Sequence, residues 1–143
     1  MALRKINISV GNDLEWYLAR RIKPGDNVSG QINRLAREHS NLLEASMPQF
    51  KLEEWLLLCD SLSRPDEVGG AGMLVSRVRD AIDIDAADMK WCVDGANLVS
   101  RLMVLDTTAR YAVLDAVARF WAQEEGTNGE RVARAVGLGR ILP

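Results

Sequence analysis

Along the first ten residues apolar Ile6, Ile8 and Val10 alternate with polar Lys5, Asn7 and Ser9, the period of a strand with one buried face. After that the period changes. Leu14, Tyr17, Leu18 and Ile22 recur at helical spacing behind the turn Gly11-Asn12-Asp13, and Pro24-Gly25 stops this first helix. Asp26 or Asn27 caps a second, whose expected stripe is Val28, Ile32, Leu35, Ala36 and then Leu42 or Leu43. Gly30 weakens that helix by about 1 kcal/mol against alanine.

Around Glu44–Gln49 the pattern lapses, and Pro48 marks a linker or hinge. Further helices are expected from Lys51 (KLEEWLLLCDSL), over 73–83 with Met73, Leu74, Val78 and Ile82 inward, over 86–92, and over 95–105 behind an Asp94 cap. The strongest, ARYAVLDAVARFWAQ, follows Asp106, with Tyr111, Val113, Leu114, Val117, Phe120 and Trp121 inward, and a short helix over 130–136 closes the chain. No second strand is expected. The reading is therefore mostly α, with residues 1–45 as one module and 46–143 as an all-helical domain.

A lone strand needs partners for its backbone N–H and C=O groups. The economical partner is the same strand from a second copy, antiparallel about a two-fold axis. Ile6, Ile8 and Val10 of both copies then cover the following helices, while Lys5, Asn7 and Ser9 project together from the other face. An isolated two-stranded ribbon is marginal, so such a fold is obligately dimeric.

On these features (RKINISV, DLEWYLARRI, KPGDN and VSGQINRLAREH) residues 3–43 resemble the ribbon-helix-helix family of DNA-binding regulators. The resemblance implies a ribbon in the major groove of double-stranded DNA, with Lys5, Asn7 and Ser9 reading base edges. It also implies phosphate anchoring at the N-terminus of the second helix, by Asn27, Val28 and Ser29, where free N–H groups meet an anion. Arg4 would reach a phosphate from the end of the ribbon. The KPGDN turn and Gly30 depart from the family's usual pattern.

Charge adds a direction. Residues 1–43 hold seven Lys/Arg against four Asp/Glu, and the remainder eleven against sixteen, so a polyanion would meet the first forty residues. Other chemistry is sparse. His39 is the single histidine and reads as a helix-end residue, so neither a zinc site nor a catalytic triad can be assembled, and no metal or cofactor is expected. Cys59 and Cys92 read as small buried hydrophobes. Asp80, Asp83, Asp85 and Asp88 lack the glycine and terminal glutamate of a calcium loop, and Gly69–Gly72 is followed by no GK[ST]. Trp55, Trp91, Phe120 and Trp121 are expected in the core rather than around a ligand. No apolar run approaches a membrane span, and a cytoplasmic protein is expected.

The expected function is a homodimeric transcriptional regulator, a repressor by the family resemblance. Its domain over 46–143 would pair dimers, sense a ligand or bind a protein. Antitoxins and plasmid or phage control proteins belong to the same family. The rival is a small acidic helical adaptor or inhibitor that binds another protein and uses the strand only to dimerise.

Overall fold

The computed structural model describes residues 11, 27–63, 70–85 and 93–143, and over 83–85 the backbone alone. It is mostly helical and divides into two compact units, Met1–Ser40 and Asn41–Pro143. The elements are α1 (Val28–Ser46), β1 (Phe50–Lys51), α2 (Leu52–Ser61), α3 (Leu74–Asp85), α4 (Gly95–Met103), α5 (Thr107–Trp121), α6 (Asn128–Val136) and β2 (Ile141–Leu142). Short 3-10 turns at Ala71–Met73 and Leu138–Arg140 lead into α3 and β2. The N-terminal alternating stretch, the first expected helix and the expected helix over 86–92 lie outside the described residues.

The helix starts follow local chemistry. Asp94 accepts from the Asn97 N–H (3.1 Å) and Asp106 from the Ala109 N–H (2.8 Å), each satisfying a donor that a helix leaves open. Thr127 and Glu130 form a reciprocal capping box, so α6 begins at Asn128, two residues earlier than periodicity suggests. At α2 the Glu54 carboxylate accepts from the Lys51 N–H (3.0 Å).

Within Asn41–Pro143, α5 lies at the centre of the core. Its Ala112, Val113, Ala116 and Val117 are all buried, and the two alanines let neighbouring helices approach closely. Trp55, Leu57 and Leu58 of α2, Leu74 and Val78 of α3, Leu98 and Leu102 of α4, and Val132, Ala135 and Val136 of α6 complete it. Phe50 packs edge-on against Trp55, their ring centroids 5.0 Å apart.

Several inward positions differ from the expectation. Tyr111 is exposed, because the buried face of α5 runs through Ala109, Ala112, Val113, Ala116, Val117 and Phe120. Trp121 is also partly exposed, its indole lying at the rim with Nε1 donating to the Cys59 carbonyl (2.9 Å). Met73 is exposed because it belongs to a 3-10 turn, whose side-chain phase differs from that of the helix after it. On α1, Val28, Ala36 and Leu42 are exposed, Ile32 and Leu35 half-buried, and Gln31 and Leu43 buried.

The expectation of no further strand is also corrected. β1 and β2 form a two-residue parallel ladder, Phe50 opposite Ile141 and Lys51 opposite Leu142. Two residues carry no readable period, which is why the pairing is invisible in the sequence. Nor is the segment around Pro48 a free linker. α1 continues to Ser46, Met47 is buried, and the C-terminal segment ties the stretch down. Arg140 donates to the Glu44 and Met47 carbonyls (both 3.1 Å), capping the end of α1. Gln49 Nε2 donates to the Gly139 carbonyl (3.1 Å), and Trp55 Nε1 to that of Arg140 (3.1 Å). Gly137, at φ 84°, makes the turn from α6 into this segment in a conformation that L side chains rarely adopt.

Candidate nucleic-acid interface

Of the residues singled out for DNA contact, Arg4, Lys5, Asn7 and Ser9 lie outside the described residues. Asn27, Val28 and Ser29 stand together at the start of α1, and all three are exposed. Asn27 is the cap. Its Oδ1 accepts from the Gly30 N–H (2.6 Å), and its carbonyl accepts from the Gln31 N–H (3.2 Å). The N–H groups of Val28 and Ser29 belong to the first turn, where no helical carbonyl precedes them.

Gly30 has a local reason. A β-carbon there would stand 2.9 Å from Asn27 Oδ1, so the glycine leaves room for the cap to close. No acidic residue occupies the first turn of α1, where a carboxylate would oppose an approaching anion. Further along, Arg34, Arg37 and His39 are exposed. Gln31, only 5% exposed, is the position sequence reasoning missed, since the apolar stripe skips it.

The unit Asn41–Pro143 holds a small cleft of about 60 Å³ lined by Leu56, Cys59, Asp60, Phe120, Trp121, Asn128 and Arg131. The Arg131 guanidinium lies over the Phe120 ring, 4.0 Å from its centroid, and donates to the Phe120 carbonyl (3.0 Å). Burial pushes the Cys59 thiol up to about 12, with Arg131 lowering it and Asp60 raising it by smaller amounts. Such a thiol is protonated at neutral pH and is no nucleophile.

Trp55 and Phe120 are buried, as expected of core aromatics. Among the described residues no group of three or more His, Cys, Asp or Glu side chains could hold a metal ion. No described helix is long and apolar enough to cross a membrane. No protein-family model, curated protein or solved structure matches the chain.

Proposed function

We propose that this chain is a ribbon-helix-helix DNA-binding regulator acting as a repressor, with residues 3–43 as the DNA-reading and dimerising module. The observation that carries the reading is the start of α1: an exposed, Asn27-capped helix N-terminus with no acidic residue in its first turn, following in sequence the alternating stretch RKINISV. An N-terminus of this kind suits a phosphate oxygen, since the open N–H groups and the helix dipole both favour an anion.

In this mechanism Asn27, Val28 and Ser29 set the register on the backbone, with Arg4 on a neighbouring phosphate. Lys5, Asn7 and Ser9 of two copies then discriminate bases. Lysine donates to guanine O6 and N7, asparagine pairs with adenine N6 and N7, and serine adapts to either. Exposed Val28 and half-buried Ile32 and Leu35 supply apolar surface on α1 that a second copy would cover.

Selection from a pool of randomised duplexes by the full chain tests the reading. The expected result is enrichment of paired half-sites related by a two-fold axis, matching the symmetry of the dimer. Recovery of no preferred sequence at low salt would overturn it.

A further inference from the structure

We propose that the corner where α4 passes into α5 is a docking surface for an acidic, apolar-bearing peptide segment of another protein. Two arginines from different helices converge on one residue there. Arg79 of α3 places its guanidinium 3.7 Å from Met103 Sδ, and Arg110 of α5 donates to the Met103 carbonyl (2.9 Å). Between them the chain presents Met103, 54% exposed, and Val104, 82% exposed.

The charges at this corner are uncompensated. Arg101 pairs with Glu54 and Arg119 with Asp115, yet no carboxylate pairs with Arg79 or Arg110 among the described residues. Buried Arg110 Nε has no hydrogen-bond partner there either. Residues 44–143 carry five more acidic than basic groups, so carboxylates to neutralise both arginines are plentiful.

Complementarity defines the occupant. Carboxylates would pair with the two guanidinium groups, bidentately where geometry allows. Aliphatic side chains would cover Met103, whose flexible thioether adapts to varied shapes, and Val104. Arginine and methionine are also enriched at protein interfaces. A nucleic-acid backbone fits less well. It offers no aliphatic side chain to cover Met103 and Val104.

The test is selection of short random peptides displayed on phage against the full chain, followed by affinity measurements at low and high salt. Enriched peptides should combine Asp or Glu with Leu, Ile, Val or Phe. Their binding should weaken about tenfold or more in the double variant Arg79→Glu, Arg110→Glu, and again as salt rises. Because Arg110 also caps the end of α4, Val104→Asp is the second variant. It alters only an exposed side chain, adds a like charge against the acidic ligand, and should reduce binding comparably with helix content unchanged. Peptides without carboxylates, or unchanged affinity in both variants, would overturn the proposal. So would self-association of the chain that Val104→Asp abolishes, which would assign the corner to a second copy. A duplex whose affinity falls in step with the peptides would overturn it in favour of a polyanion.

Discussion

Glu54 and Arg101 offer an asymmetric test of how the helical unit is held together. The Glu54 side chain is 7% exposed and ion-pairs with Arg101, whose own side chain is 38% exposed. Glu54 also accepts the Lys51 N–H (3.0 Å). Arg101 donates to Asn97 Oδ1 (2.8 Å) and lies over the Phe50 ring at 5.4 Å. Removing the cation strands a buried carboxylate, whereas removing the carboxylate leaves an arginine that water already reaches. Breaking a fully buried pair from one side costs about 3–5 kcal/mol, and solvent at Arg101 brings Arg101→Met down to about 2–3. Glu54→Gln keeps an oxygen for the Lys51 N–H and a similar volume, so it should cost about 1 kcal/mol.

The double variant should resemble Glu54→Gln alone, because the stranded charge is gone, and the cycle should return a coupling of about 2–3 kcal/mol. Urea unfolding followed by tryptophan fluorescence and far-ultraviolet circular dichroism measures all four chains. Equal costs for the two single changes, or Arg101→Met within about 0.5 kcal/mol of the parent, would refute the reasoning by showing a surface-like pair.

Cys59 should contribute stability that is intact below about pH 9 and is lost as pH rises through about 12, because unfolding exposes a thiol that ionises more readily. Comparing stability against pH for Cys92→Ser with and without Cys59→Ala should show the extra alkaline slope only where Cys59 is present. At the start of α1, Asn27→Ala should cost about 1 kcal/mol, and Gly30→Ala should be near neutral in the parent because its β-carbon displaces the cap. In the Asn27→Ala background Gly30→Ala should instead stabilise by about 0.5–1 kcal/mol, and thermal melts of the four chains decide it. Arg140→Ala should accelerate amide exchange over 43–51 more than over α5, since it frees two carbonyls at the end of α1. Uniform acceleration across both regions would contradict a local strap.

What the sequence made legible was whatever depends on neighbours along the chain. The Asp94 and Asp106 caps, the inward Leu74 and Val78, and buried Trp55 all follow from spacing and short polar side chains. What it concealed depends on residues far apart. Arg140 capping α1 spans more than ninety positions, and the pairing of Phe50 with Ile141 uses strands too short to show a period. Tyr111 and Trp121 misled because aromatic residues at helical spacing look like core, while the centre of α5 is built from alanine and valine. At the candidate interface the Asn27 cap was legible as one of two options. The room that Gly30 leaves for it was not, since an isolated glycine in a helix reads only as a weakness.

The central claim is most directly tested by the binding of the full chain to the DNA upstream of its own coding region, against a scrambled duplex, at two salt concentrations. The account predicts preferential binding by a dimer that weakens steeply with salt. The preference should vanish in the triple variant Lys5→Ala, Asn7→Ala, Ser9→Ala while the dimer persists. Equal affinity of parent and triple variant for both duplexes would contradict it.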